Sequence, residues 1–298
     1  MHYQQLGKSD LRVSALSFGC MSLSPVQSDA DQILHYAHEQ GINFFDTADL
    51  YDKGVNERLV GKALKDRRSQ VYIATKVGNQ WRPDGSTWDW NPGKKYILEA
   101  VEESLKRLQT DYIDLYQLHG GTIEDPIDET IEAFEQLKQQ GKIRHYGISS
   151  IRPNVIREYV NRSSITSVMM QYSLLDRRPE ETCLDLLHQH SIGVLVRGSL
   201  AKGLLINKPA TSYLGYQADE VKKAAEAIHS LSQNNRTATA VAFQFAKHHP
   251  AVTTAVTGIR TMDQLKTSLQ AQNAVGLTES EYNQLTQSVR PIFYEEHR

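Results

Sequence analysis

Four residues in the first half of the chain carry side chains that can hold or move a proton at neutral pH: Asp46, Tyr51, Lys76 and His119. Asp46 closes the apolar stretch INFFD (42–46), and Tyr51 follows in the short turn after it. Lys76 lies near the end of VYIATKV (71–77), and His119 ends YIDLYQLH (112–119). A carboxylate beside a buried strand is costly unless something uses or pairs it. A tyrosine can act as a general acid if its ordinary pKa near 10 is pulled toward neutrality, and a nearby ammonium does so by favouring the phenolate. Such a lysine needs a carboxylate to stay charged in a partly buried place, which Asp46 can supply, while His119 could orient a carbonyl oxygen or share the proton relay. Taken singly, each has a bland reading: a turn cap, a snorkelling lysine, a satisfied histidine. Four at matching positions argue for a site that protonates a carbonyl oxygen as it gains charge. Asp49 and Asp52, in the same turn, read as solvated loop acids. No nucleophile triad is evident. The paired histidines of HYAH (35–38) and HQH (188–190) lack supporting cysteines or carboxylates, so no metal is expected.

The elements that must position these residues alternate along the chain. Strands are expected at 12–19, 42–46, 71–77, 112–119, 143–149, 166–173, 192–198 and 251–258. Helical patterns follow at 28–41, 56–66, 94–109, 126–142, 153–160, 179–190, 218–232, 237–249, 261–273 and 278–289. Ser28 is expected to cap the first helix and Gly41 to stop it. Ile97, Val101, Leu105 and Leu108 share one face of the third; Ile127, Ile131, Phe134 and Leu137 share one face of the fourth. Roughly eight strand–helix units are the count that closes a (β/α)8 TIM barrel, and no linker divides the chain, so the expectation is one such α/β domain over residues 1–298, with a doubly wound open sheet as the alternative. In a barrel of this kind catalytic groups gather at the C-terminal ends of strands, which is where the four residues fall.

Composition narrows the classes of function. With 298 residues, 40% hydrophobic and 23% charged, the chain reads as a soluble globular protein with a sizeable core. A formal net charge of −2 gives no reason to expect nucleic acid or an anionic membrane as a partner. No apolar run approaches a membrane span, and the opening residues lack a secretory pattern. Two cysteines, Cys20 and Cys183, fit a reducing cytosol, so a cytoplasmic location is expected. The glycosylation-like triplets at 161–163 and 235–237 carry no meaning without secretion.

A carbonyl that is protonated also needs an electron source. Neither G-x-G-x-x-G after a strand nor a P-loop is present. GSLAKGLL (198–205), after the seventh strand, offers backbone amides, Ser199 and Lys202; TGIRTMDQLKTS (257–268) places a glycine turn and Arg260 at the start of a helix. A helix N-terminus receives an anion, and an arginine forks onto a phosphate. The long stretch GNQWRPDGSTWDWNPG (78–93) holds all three tryptophans; Trp81 is expected to line a carbonyl pocket, with Trp88 and Trp90 pinning the loop to the barrel.

At this point the chain resembles the aldo-keto reductase superfamily along essentially its whole length. NFFDTADLYDKGVNERLVGKAL is similar to the second-strand signature of that family, followed in order by IATKVG, YIDLYQLHG, YGISS, MMQYSLLDRR, GSLAKGLL and VTGIRTMDQL. The resemblance implies a (β/α)8 barrel that reduces aldehydes and ketones with NADPH. It implies Tyr51 as the acid, Lys76 and Asp46 as its tuning pair, and His119 as the residue that orients the carbonyl. It implies carboxamide contacts from Ser149, Ser150 and Gln171, and pyrophosphate contacts around Gly198, Ser199, Leu200, Lys202, Gly203 and Leu204. It implies Gly258 in the last turn and Arg260 with Gln264 as the receivers of the 2′-phosphate. Gly19, Cys20 and Met21 are expected to border the cofactor, with Met21 also expected to face the pocket beside Trp81. The chain departs from the pattern at three places. Ser150 and Ser268 stand where asparagine is common, and Arg197 stands where an aromatic residue stacks on the nicotinamide; a planar guanidinium can stack too, but brings a charge. Two alternatives remain: a non-enzymatic NADPH-binding sensor with a protein partner, and a Schiff-base aldolase acting through Lys76.

Overall fold

The computed structural model describes residues 1–24, 26–232 and 236–298, so Asn235 of the second glycosylation-like triplet lies outside the described residues. Twelve strands and ten α-helices are present among them. The strands are β1 (Tyr3–Gln5), β2 (Arg12–Ser14), β3 (Leu16–Gly19), β4 (Phe44–Asp46), β5 (Tyr72–Val77), β6 (Asn79–Trp81), β7 (Trp88–Trp90), β8 (Ile113–Leu118), β9 (Ile143–Ser149), β10 (Ser167–Gln171), β11 (Gly193–Arg197) and β12 (Val252–Gly258). The helices are α1 (Ala30–Glu39), α2 (Val55–Leu64), α3 (Lys94–Leu108), α4 (Ile127–Gln139), α5 (Pro153–Arg162), α6 (Cys183–Gln189), α7 (Ala218–Ser230), α8 (Ala238–Ala246), α9 (Met262–Gln272) and α10 (Glu279–Gln287). Strands β3, β4, β5, β8, β9, β10, β11 and β12 pair in parallel in that order, and β12 returns to β3 to close a (β/α)8 barrel.

The barrel positions its site through a period of two. Along a strand, alternate side chains face the same way. Phe44, Ala74, Leu115, Met169, Leu195 and Val256 point inward and form one cluster with Leu6, Leu11 and Val13. Two residues further along the same strands come Asp46, Lys76, Gln117, Gln171, Arg197 and Gly258. An apolar layer fills the interior, and the next layer, at the C-terminal rim, is polar. The outward partners, such as Phe45, Ile73 and Tyr116, pack under the helices in a second and larger core.

Several local expectations needed revision. The stretch read as one strand at 12–19 changes partners at Ala15: β2 pairs antiparallel with β1 beneath the barrel, and β3 enters the barrel. Asn43, just before β4, ties β2 to that strand, accepting from the Ser14 amide at 2.8 Å and donating to the Arg12 carbonyl at 2.8 Å. Ser28 does not cap α1; the helix begins after Asp29 with no side-chain cap. The 78–93 stretch is not an open loop but a ribbon of β6 and β7. Trp90 anchors it, with its indole donating to Asp125 at 2.9 Å and its ring so close to Gly78 that an added Cβ would lie 2.6 Å away. Trp88 does not pin the ribbon; it is 43% exposed.

Candidate active site

Asp46 and Lys76 meet because their strands are neighbours and both side chains face inward. The Lys76 ammonium donates to Asp46 at 2.7 Å, to the Thr47 carbonyl at 2.8 Å and to the Tyr51 hydroxyl at 3.3 Å. All three ammonium hydrogens therefore have acceptors, and the pair is closed to water, with side-chain exposures of 1% and 6%. Gln117 supports it from the next strand by donating to the second Asp46 oxygen at 3.4 Å. Tyr51 is delivered by a tight turn: Asp52, Lys53 and Gly54 all take left-handed backbone conformations, with φ of 48°, 55° and 80°. Non-glycine residues there carry strain of about 1–3 kcal/mol each, which the surroundings must hold in place. They do so: Lys53 donates to the Gly85 carbonyl at 2.8 Å and lies over the Trp81 ring at 5.2 Å, fastening the ribbon to the turn. Thr47 donates to Asn56 at 2.7 Å from the other side. The His119 ring stands edge-on to Tyr51 with centroids 5.8 Å apart.

The electrostatics follow from burial and neighbours. Burial alone would push the Lys76 ammonium down, but Asp46 and Tyr51 outweigh it and the pKa ends above the ordinary lysine value. That leaves no neutral amine, which weighs against Schiff-base chemistry at Lys76. Burial also raises the Asp46 carboxyl, against the opposing pull of Lys76. Burial, then the fields of Lys76 and Arg197, drive His119 down to about 3, so its imidazole is neutral at physiological pH. Its Nδ1 is buried without a hydrogen-bond partner. A neutral imidazole and a phenol, backed by a fixed ammonium, can together donate to one oxygen.

Further round the rim, Gln171 is engaged at both ends of its amide. It accepts from Arg197 at 3.0 Å and donates to Asp176 at 2.9 Å and to the Tyr213 hydroxyl at 3.1 Å. Arg178 grips Asp176 with bonds of 2.7 and 2.9 Å. The Ser150 hydroxyl accepts from the Arg152 amide at 3.2 Å, and Ser149 sits beside it at the end of β9. Gly198 has φ +74°, and a Cβ there would press on Gln171 at 3.2 Å, so only glycine opens this turn. Beyond it, Ser199 and Leu204 are buried, Leu200 is half-buried, and Lys202 and Gly203 continue the turn with positive φ. Arg260 is exposed at the head of α9; its Nε donates to the Ser22 carbonyl at 3.3 Å and its amide to Gln264 at 2.9 Å. Gly258 pairs with Gly19 across β12 and β3, beside Ser22. Ser268 lies one turn further along α9, its hydroxyl given to the Gln264 carbonyl at 2.9 Å.

Asp49 is not a solvated loop acid. It is 7% exposed, has one carboxyl oxygen without a partner, and is pushed well above the carboxylate range by burial and then by Glu57. The reason is tertiary: α2 and α3 bring Glu57 and Arg107 beneath the turn, joined at 2.6 Å. Asp52 is exposed. Met21 is 63% exposed at the rim, whereas Cys20 is wholly buried and its thiol is pushed well up by burial. The indole nitrogen of Trp81 is buried without a partner. Gln117, Asp176 and Tyr213 were not singled out from sequence. Gln117 had a signal, being a polar residue inside an apolar strand two places before His119.

A profile described as the aldo/keto reductase family matches residues 15–290. The chain belongs to the aldo/keto reductase family. It is 50% identical over 307 residues to the uncharacterized oxidoreductase YqkF of Bacillus subtilis, with both chains fully covered. It is 52% identical to aldo-keto reductase AKR11C1 from Bacillus halodurans in its holo form, with a TM-score of 0.95 over 100% of this chain and 99% of that one. It is 35% identical over 239 residues to the NADH-specific methylglyoxal reductase of Escherichia coli, covering 72% of this chain and 73% of the relative. Aldo/keto reductases are oxidoreductases of small carbonyl compounds that use a nicotinamide cofactor, and this one is an oxidoreductase of that kind. Among its described residues no helix is long and apolar enough to cross a membrane, and no group of three or more histidine, cysteine or acidic side chains could hold a metal ion.

Proposed function

We propose that this aldo/keto reductase uses NADPH to reduce aldehydes and ketones to alcohols, as a single barrel domain in a reducing cytosol. The observation that carries the reading is the Tyr51 hydroxyl held 3.3 Å from a buried ammonium that is itself paired with Asp46 at 2.7 Å. When bound, the nucleotide would supply the hydride that the carbonyl carbon gains. Tyr51 supplies the proton to the oxygen, Lys76 stabilises the charge left on the phenol, Asp46 keeps Lys76 charged, and neutral His119 orients the oxygen. General acid catalysis of this sort contributes about 10²–10⁴-fold.

The residues present fit such a nucleotide. Ser149, Ser150 and Gln171 would hold the carboxamide, with Arg197 against the nicotinamide. The turn from Gly198 to Leu204 offers amides and Lys202 to a pyrophosphate. Arg260, which has no carboxylate partner among the described residues, and Gln264 would take the 2′-phosphate, with Ser268 near the adenine and Gly19, Cys20, Met21 and Gly258 along the edge. An NADH-specific relative means that family membership leaves the 2′-phosphate open, so Arg260 is what supports NADPH. Trp81 and Met21 would border the substrate. Two free cysteines support the cytosolic setting. The test is Tyr51→Phe: kcat for a simple aldehyde should fall about 10²-fold or more while the NADPH dissociation constant stays within about threefold. A retained kcat refutes the role of Tyr51.

A further inference from the structure

A cleft of about 780 Å³ opens beside the catalytic rim, between the segments that follow β9, β10 and β11 and the C-terminal tail. Ile151, Leu214 and Phe293, each substantially exposed, give it an apolar wall. Its charged lining is uneven. Arg178 is held by Asp176 at 2.7 Å, and Arg290 by Glu220 at 2.8 Å and the Gly215 carbonyl at 2.7 Å. Arg298 is bonded to Glu181. Glu295 and Glu296 also line the cleft and are exposed, with Glu296 near His297 at 3.7 Å. Arg152 differs from the other arginines. Among the described residues its guanidinium has no carboxylate partner; its bond is to the carbonyl of Gly121, two residues past His119. It therefore stands between the catalytic histidine loop and the cleft.

Its place in the fold sharpens the point. Arg152 is the N-cap residue of α5, where the helix already presents its positive end. A cation there works against the helix macrodipole, and no acidic residue lies in the first turn to offset it. A local conflict of this kind, at the edge of a site, is the pattern expected where an anion completes the arrangement. We infer that the carbonyl substrate carries an anionic group, a carboxylate or a phosphate monoester, several atoms from the carbonyl, and that Arg152 receives it in this cleft while the carbon chain lies along Ile151, Leu214 and Phe293. The inference rests on the carbonyl-reductase reading: the carbonyl carbon gains the hydride that NADPH loses, and its oxygen gains the proton of Tyr51.

The experiment compares kcat/KM for matched aldehydes: 5-oxopentanoate against pentanal, and glyceraldehyde 3-phosphate against glyceraldehyde. The wild type should favour the charged member of at least one pair by about tenfold or more, and the pair that shows it distinguishes carboxylate from phosphate. In Arg152→Ala the ratio should fall toward one, chiefly through KM, and Arg152→Lys should restore part of it. No preference in the wild type overturns the inference and needs no variant to do so. A preference that survives in a folded Arg152→Ala overturns the assignment to Arg152. If the charged pairs show no difference yet the neutral aldehydes are reduced, carbonyl reduction stands and this inference falls. If neither member of either pair oxidises NADPH, the functional reading falls first.

Discussion

The β4–β8 side of the rim and the β11–β12 side are built on opposite plans. On the first, Asp46, Lys76 and Gln117 are buried, and the Lys76 ammonium has an acceptor for each of its hydrogens. On the second, Arg197 and Arg260 are exposed and held by single bonds to neutral groups. A buried charge whose partner is removed is left uncompensated, whereas an exposed one is resolvated. The first side therefore behaves as one unit that fixes a proton donor, and the second as separate contacts that each adjust affinity.

The largest break should come from Lys76→Met. Leaving Asp46 buried and unpaired should cost about 3–5 kcal/mol of stability by denaturant titration, and kcat should fall about 10²–10³-fold. A variant as stable and as active as the wild type would dissolve the distinction between the two sides. Arg260→Ala should act on affinity alone. Loss of one charge-assisted bond to a phosphate should raise the NADPH dissociation constant about 10-fold or more and change that for NADH by less than about threefold. Equal losses for both nucleotides would remove the 2′-phosphate from the account. Per pH unit the smallest effect is the response of His119, whose pKa lies near 3 in the folded chain against 6.5 for an ordinary imidazole. Above the unfolded value both states are neutral and nothing changes. As pH falls below it the unfolded chain takes up a proton that the folded chain refuses, so stability drops progressively toward pH 3, by at most about 1.4 kcal/mol per unit. Denaturant titrations at pH 7 and 5 should show this slope, and His119→Asn should reduce it.

The same contrast explains what could be read from the chain. The barrel was legible because its strands are short apolar runs, several with a chemically unusual residue at or next to the end, as INFFD, VYIATKV and YIDLYQLH show. Period-two alternation then carries Asp46, Lys76 and Gln117 to one layer without further information. What periodicity does not carry is the choice of partner. Ala15 looks like any strand residue, yet the chain leaves one sheet there and enters another. Asp49 has loop neighbours in sequence, and its burial is decided by Glu57 and Arg107 from two distant helices. The ribbon at 79–90 forms because Trp90 finds Gly78 and Asp125, contacts that no local pattern announces. Likewise the Gln171–Asp176–Tyr213 network depends on a loop more than forty residues from its strand.

Rapid mixing of NADPH-loaded protein with a simple aldehyde tests the central claim most directly. In the wild type the bound nucleotide should lose its reduced-nicotinamide absorbance in one turnover, with one alcohol formed per nucleotide, while loaded Tyr51→Phe should keep that absorbance over the same interval. An unchanged signal in the wild type, or the same rate in both proteins, would contradict the assignment of proton donation to Tyr51 beside the Lys76–Asp46 pair.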